Sequence, residues 1–126
     1  MANEENILKL RFLEQQANEL EEKIKLVNQK ISEFEILEIS LNKIKNSENK
    51  EILASVGEGI FTKTKLQEKK FIINVGAKIF LEKNPEEANE IVEKRIKELE
   101  EVKGHLLMNI ETISKEMEKL VREIES

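Results

Sequence analysis

Residues that could perform catalysis or bind a metal are scarce in this sequence of 126 residues. There is no cysteine and only one histidine, His105. The chain therefore has no thiolate ligand, thiol nucleophile or disulfide, and one imidazole does not make a zinc site or a catalytic dyad. No segment brings a nucleophile, a base and an oxyanion site together. The sequence predicts a protein that is not an enzyme and that uses no metal and no cofactor.

The stretch Gly57-Glu58-Gly59 is the one segment with the look of a nucleotide-binding loop. A dinucleotide loop needs a third glycine and a following helix, whereas this sequence has Thr62 and strand-like residues there. These glycines are therefore predicted to form a turn. His105 is predicted to be solvated in the middle of a helix. Its neighbour Gly104 costs about 1 kcal/mol there and marks a site where that helix could bend.

Charge is unevenly distributed along the chain. The net charge is −5, but residues 59–83 carry +4 and the remainder carries −9. The acidic flanks argue against a general nucleic-acid binder. No apolar run is long enough to span a bilayer, and the start of the chain lacks a signal-like core, so we expect a soluble, cytoplasmic protein without membrane contact. The basic middle is either a solvated sheet face or a docking surface for an acidic partner; its lysines include Lys63, Lys65, Lys69 and Lys70.

The elements that position these residues begin with a long helix, predicted over 1–46. Its apolar residues recur at alternating steps of three and four, which is typical of a coiled-coil seam. A stammer is expected at Leu37, and the residues 46–49 are expected to end the helix. The predicted seam comprises Leu10, Leu13, Ala17, Leu20, Ile24, Val27, Ile31, Phe34, Leu37, Leu41 and Ile44.

A second long helix is predicted over 85–125. Asn84 is suited to cap it, Pro85 to its first position, and Glu87 lies three residues after the cap. Because the two helices have matching lengths of about 40 residues, we expect them to pair antiparallel. The predicted seam of the second helix comprises Ile96, Leu99, Val102, Leu106, Ile110, Ile113, Met117, Leu120 and Ile124.

Residues 51–83 between the helices are rich in Ile, Val, Phe and Thr, which predicts strands. We expect strands at 51–56, 59–66, 69–75 and 78–83, with turns at Gly57-Glu58 and Gly76-Ala77 and a link at Gln67-Glu68. The predicted fold class is α+β and mostly α: one domain, 1–126, in which a two-helix coiled coil carries two β-hairpins.

Two small hairpins cannot bury the large apolar residues of this region, Ile72 among them. Other chains must cover these residues, and open strand edges allow it, so we expect an obligate oligomer. Replacing Ile73 by Asp is expected to abolish assembly. The residues assigned to oligomerisation are Val56, Ile60, Phe61, Phe71, Ile73, Val75, Ile79 and Phe80.

The order of long helix, two hairpins and long helix resembles the prefoldin family, and the local residues fit as well. Residues 56–63, Val-Gly-Glu-Gly-Ile-Phe-Thr-Lys, resemble the first hairpin of the alpha class, which has two glycines there. Residues 71–83 resemble the second hairpin, and Glu86-Glu87-Ala88 the acidic entry to the last helix. Two hairpins rather than one are typical of the alpha class.

This resemblance implies a chaperone that holds unfolded proteins without ATP. Its hexamer would contain two alpha and four β-type subunits, with the hairpins in a double barrel, and would pass clients to a group II chaperonin. Clients would bind at the free ends of the helices. The residues expected there are Ile7, Leu8, Leu10, Phe12, Leu13, Met117, Leu120, Val121 and Ile124.

Several readings remain open at this stage. Leu10, Leu13, Leu120 and Ile124 also fit ordinary seam packing, whereas Ile7, Leu8, Phe12 and Val121 lie off the seam and are better candidates for client contact. Some alpha-like variants, the gamma prefoldins, self-assemble into filaments, which is the alternative to the hexamer. A generic coiled-coil adaptor without clients is the third reading.

Overall fold

The computed structural model describes residues 2–47 and 51–126. Along the chain the elements are α1 (Ala2–Asn46), β1 (Glu51–Gly57), β2 (Ile60–Lys65), β3 (Phe71–Gly76), β4 (Ile79–Lys83) and α2 (Pro85–Glu125). The predicted order of helix, two hairpins and helix is confirmed. The predictions that place Met1 in the first helix and residues 48 and 49 in the turn after it fall outside the described residues.

The start of α2 is fixed by a reciprocal capping box. The Asn84 side-chain oxygen accepts a hydrogen bond from the Glu87 backbone N–H at 2.8 Å, and the Glu87 carboxylate accepts one from the Asn84 N–H at 3.2 Å. Pro85 occupies the first helical position, where a missing N–H costs nothing, and is buried. Asparagine therefore fills the role that Ser or Thr more often plays in this motif.

Contacts divide the chain into two units, the first formed by residues up to Glu33 together with Ile96–Ser126. In this unit α1 and α2 run antiparallel, because Asn6 lies beside Glu123 while Leu20 and Ile113 line one groove. One predicted seam position is wrong. Val102 is 46% exposed, and Lys103 is half-buried in its place. The reason is that seam residues alternate between steps of four and three, and this alternation runs from Leu99 to Lys103 and then to Leu106.

The second unit, Phe34–Arg95, contains the rest of α1, both hairpins and the start of α2. Here too the predicted seam needs a correction: Leu37 is exposed and Glu38 is half-buried, so the seam is regular as far as buried Leu41. The two consecutive steps of three, expected at Leu37, occur one step later, from 38 to 41 to 44. Pro85, Ala88 and Val92 are the buried residues of α2. The remaining apolar residues of this unit are largely exposed within the single chain.

The two hairpins are separate antiparallel pairs, β1 with β2 and β3 with β4. Each has a β-bulge just before its turn, between Ser55 and Gly57 and between Asn74 and Gly76. The turns fall at residues 58–59 and 77–78, one residue later than predicted, because each bulge glycine still belongs to its strand. Gly57 and Gly76 have φ values of +128° and +117°, which favour glycine.

The hairpins form an internal structural repeat with an offset of 19 residues. Gly57 pairs with Ile60 in the first hairpin, and Gly76 pairs with Ile79 at the same step of the second. Further along, Leu53 is opposite Lys63, and the corresponding pair is Ile72 and Glu82. The repeat therefore keeps the backbone register and the large apolar residue but reverses the charge.

Candidate functional site

The first hairpin has a half-buried face and an exposed face. Ile52, Ala54 and Thr64 are half-buried, whereas Leu53 and Phe61, on the opposite face, are 64% and 58% exposed. Successive residues of a strand point to opposite faces, so these two apolar side chains share the exposed face with Lys63 and Lys65. We call the set Leu53, Ser55, Phe61 and Lys63 outer face 1; Lys65 lies beyond this set, opposite Glu51 at the end of the hairpin.

The second hairpin repeats this arrangement. Phe71 and Ile73 are half-buried, and Ile72 and Phe80 on the opposite face are 76% and 60% exposed. We call the set Ile72, Asn74, Phe80 and Glu82 outer face 2. Each outer face therefore presents two large apolar side chains that residues 2–47 and 51–126 leave mostly exposed.

The eight residues assigned to oligomerisation are thus not equivalent. Two of them, Phe71 and Ile73, lie on the half-buried face, and Ile73 is opposite Leu81 of its own hairpin. The other six are exposed: Val56, Ile60, Phe61, Val75, Ile79 and Phe80. Sequence reasoning left Leu53, Ile72 and Leu81 out of the assembly set, although strict alternation from Phe61 and Phe80 across the paired strands would have found the first two.

A groove lies between α1 and α2 near the free ends of the helices, with a volume of about 670 Å³. We call it the helix-end groove. Its apolar walls include Leu8 and Phe12, which are 66% and 61% exposed. The described residues that line it are Asn6, Leu8, Lys9, Phe12, Leu13, Glu116, Lys119, Leu120 and Glu123.

Four of the nine residues predicted to contact clients line this groove: Leu8, Phe12, Leu13 and Leu120. Leu10, Met117 and Ile124 are half-buried seam residues. Ile7 and Val121 are 41% and 38% exposed. Ile7 lies seven residues before Glu14, and Val121 lies seven residues after Ser114. Glu14 and Ser114 line a different groove, on the other flank of the helix pair. The structure therefore separates the off-seam residues into two pairs on two flanks.

The apolar character of the helix-end groove ends within one heptad. The next groove on the same flank, about 370 Å³, is lined by residues seven positions further along each helix, so that Gln16 replaces Lys9 and Glu19 replaces Phe12. On α2, Asn109 likewise replaces Glu116. The exposed apolar surface of the helix-end groove therefore does not continue into the next heptad.

A family profile named Prefoldin subunit matches residues 13–126 of this chain. The match includes α1 from Leu13 onward, both hairpins and α2.

The chain belongs to the prefoldin family.

Curated relatives named as prefoldin alpha subunits agree with this assignment. The chain is 33% identical over 116 residues to "Prefoldin subunit alpha" of Thermofilum pendens, covering 90% of this chain and 87% of the relative. It is 35% identical over 97 residues to "Prefoldin subunit alpha 1" of Thermococcus kodakarensis, with 75% and 66% covered. It is 28% identical over 115 residues to the alpha subunit of Methanobrevibacter smithii, with 90% and 75% covered.

The fold also matches a solved prefoldin structure. The filamentous prefoldin of Methanocaldococcus jannaschii, determined by cryo-electron microscopy, has a TM-score of 0.80, covers 95% of this chain with 98% of its own, and is 24% identical. Prefoldin membership supports a chaperone-like role for this chain within an oligomer. The exposed outer faces and the helix-end groove are the surfaces on which such a role can be examined.

The basic middle of this prefoldin chain is partly used within the chain itself. The Lys69 ammonium donates a hydrogen bond to the Lys45 carbonyl in the last turn of α1 at 2.7 Å. Lys70 lies 3.3 Å from the Glu68 carboxylate and 4.0 Å from that of Glu82. Two of the four lysines thus have partners within the chain, whereas Lys63 and Lys65 are exposed, and docking of an acidic partner on this region stays a prediction.

A further ion pair joins the two helices where they meet the hairpins. The Lys45 ammonium lies 3.1 Å from the carboxylate of Glu86, in the first turn of α2. A hydrogen bond to the backbone N–H of Glu86, followed by the contact with Lys45, holds the pKa of the Glu86 carboxyl below its usual range. The position at a helix start acts in the same direction, because the positive end of the helix favours a carboxylate.

The remaining candidates for chemistry add no site. Gly57 ends β1, and Glu58 and Gly59 form the turn to β2, so a strand and not a helix follows these glycines, as predicted. His105 is exposed within α2, which runs unbroken through Gly104. Within residues 2–47 and 51–126, no three acidic, histidine or cysteine side chains form a metal-binding group. Neither described helix contains a stretch apolar enough to cross a membrane.

Proposed function

We propose that this chain is a subunit of a cytoplasmic, ATP-independent holdase that assembles through its hairpins with β-type prefoldin subunits. The assembly would contain two alpha and four β-type subunits, hold unfolded proteins at the ends of its helices, and pass them to a group II chaperonin. The observation that supports client binding is the helix-end groove, where Leu8 and Phe12 are about two-thirds exposed in a prefoldin chain.

The exposed apolar area in the groove sets the strength of one contact. Full burial of a leucine or phenylalanine contributes about 1.5–3 kcal/mol, so covering the exposed parts of Leu8 and Phe12 contributes roughly 2–4 kcal/mol in total. Since about 4 kcal/mol corresponds to a dissociation constant near 1 mM, a single groove binds weakly. Several grooves acting on one client raise its retention through effective concentration while still allowing release.

Four substitutions test this proposal. Replacing Ile7, Leu8, Phe12 and Val121 together by Ser should leave assembly intact, because none of them is buried, and should weaken suppression of client aggregation. The measurement is light scattering of an unfolded client diluted into the assembled complex. Unchanged suppression would refute client binding at the helix ends and would favour the adaptor reading.

Two matched double variants divide that effect between the flanks. Leu8→Ser with Phe12→Ser removes apolar surface from the groove, whereas Ile7→Ser with Val121→Ser does so on the other flank. The second pair is the less exposed, so it perturbs the helix pair at least as much. We expect the first pair to lose most of the suppression and the second to retain it. The melting temperature of each variant serves as the folding control.

A self-assembling filament is the second candidate. It is supported by the likeness to the filamentous prefoldin of Methanocaldococcus jannaschii and by two outer faces with uncovered apolar residues. Molar mass from light scattering and negative-stain images, recorded for the chain alone and mixed with a β-type subunit, separate the two. Discrete particles that form only on mixing support the hexamer, and fibres from the chain alone support the filament.

A further inference from the structure

The two outer faces have the same layout and opposite charge. Both belong to hairpins with the same register and the same bulge, offset by 19 residues. Leu53 and Ile72 occupy one shared position, and Phe61 and Phe80 another. At the position opposite Leu53 the first hairpin has Lys63, and at the equivalent position opposite Ile72 the second hairpin has Glu82.

We infer that outer face 1 of one copy of this chain docks on outer face 2 of a second copy. This pairing covers the apolar residues of both faces and brings Lys63 near Glu82. Docking outer face 1 on itself would instead bring Lys63 toward Lys63, and docking outer face 2 on itself would bring two glutamates together. Like charges in a contact select against the wrong partner.

Both charged groups are available for this contact. In the part of the chain that the structure describes, Lys63 is exposed and has no ion-pair partner. The Glu82 side chain is 61% exposed, and the described residue of opposite charge beside it, Lys70, is 4.0 Å away and closer to Glu68. The apolar residues of both faces are between 58% and 76% exposed, so they too are open to a partner.

The contact joins two different surfaces, so it has a direction. Two copies can make it reciprocally and close into a pair, or each copy can make it with the next and form an open chain. This docking rests on the assembly part of the proposed function and is independent of client binding.

Charge reversal tests it in the full-length chain. Lys63→Glu gives a copy with two negative outer faces, and Glu82→Lys gives one with two positive outer faces. We expect each variant alone to associate at least about tenfold more weakly than the wild type, and an equimolar mixture of the two to recover the wild-type assembly. The chain carrying both reversals should also assemble, because its faces are complementary again.

Sedimentation velocity over a dilution series measures the association. Lys78→Glu, which makes the same charge change in the turn outside both outer faces, is the matched control and should assemble like the wild type. Single reversals that assemble normally, a mixture that does not recover, or a wild-type chain that stays monomeric would each overturn the docking. A chain could fail these tests and still form normal hexamers with a β-type subunit. That result would refute the docking but leave the proposed function intact.

Discussion

Gly104 offers a quantitative test of the helix-pair structure. It lies in the interior of α2, its φ is not in the left-handed region, and a Cβ built there meets no atom within 4 Å. Alanine therefore fits without strain. Because glycine in a helix interior is about 0.8–1 kcal/mol less favourable than alanine, Gly104→Ala should raise the free energy of unfolding by that amount.

The expected change in melting temperature follows from the chain length. At about 2.1 cal/mol/K per residue, a chain of 126 residues unfolds with an entropy of about 0.26 kcal/mol/K, so the gain corresponds to roughly 3–4 °C. Circular dichroism at the helix band measures this shift. Protein concentration must be matched between samples, because association also stabilises the folded state.

Glu101→Ala is the matched control, since Glu101 is exposed on the same helix and is already a good helix former. It should change the melting temperature by less than about 1 °C. A Gly104→Ala variant that melts at or below the wild-type temperature would show that a partner chain or a bend in the assembled state needs the missing side chain. A variant that is more stable and equally able to suppress aggregation would show that Gly104 is not used as a hinge.

Three further predictions concern the second unit. Lys78 has a φ of +61°, so Lys78→Gly should stabilise the chain by about 0.5–1 kcal/mol in thermal melts; a loss would mean that its side chain makes a needed contact. Because the pKa of the Glu86 carboxyl is lowered, its backbone hydrogen bond and its contact with Lys45 together contribute stability above the unfolded-state pKa of about 4.3, and this stability is lost as pH falls through the lower folded pKa. Glu86→Gln should therefore flatten the acid limb of stability against pH, and an unchanged limb would contradict this. Ile72→Asp should disrupt assembly without unfolding the hairpin, because Ile72 is 76% exposed, and an unaltered oligomer mass would exclude outer face 2 from the interface.

Most of the helical seam was predictable from the sequence, because apolar residues at steps of three and four leave few other arrangements. The two wrong positions have one cause. Val102 and Leu37 are apolar and adjacent to the true seam, but the supercoil period places Lys103 and Glu38 there, and geometry outweighs side-chain type. A half-buried lysine is tolerated because its aliphatic stem can lie along the seam while the ammonium reaches water.

The sites were less predictable, because they depend on which face a residue occupies. The bulges shift each turn by one residue, which spacing alone does not reveal. Ile73 was favoured over Ile72 for assembly, although the strand register places Ile73 on the half-buried face. Likewise, Ile7 and Leu8 are adjacent in the sequence, but a rotation of about 100° per residue places only Leu8 in the helix-end groove.

The seam lysine at position 103 affects whether a newly made chain folds on its own or pairs wrongly with another copy. A long amphipathic helix can pair with the same helix of another molecule as well as with the other helix of its own chain. In a parallel, in-register coiled coil of two α2 helices, Lys103 would meet Lys103 at the centre of the interface, whereas in the folded chain it is half-buried at a seam position. This half-buried charge on α2 thus favours folding back over pairing with the same helix of another molecule, at a small cost in stability.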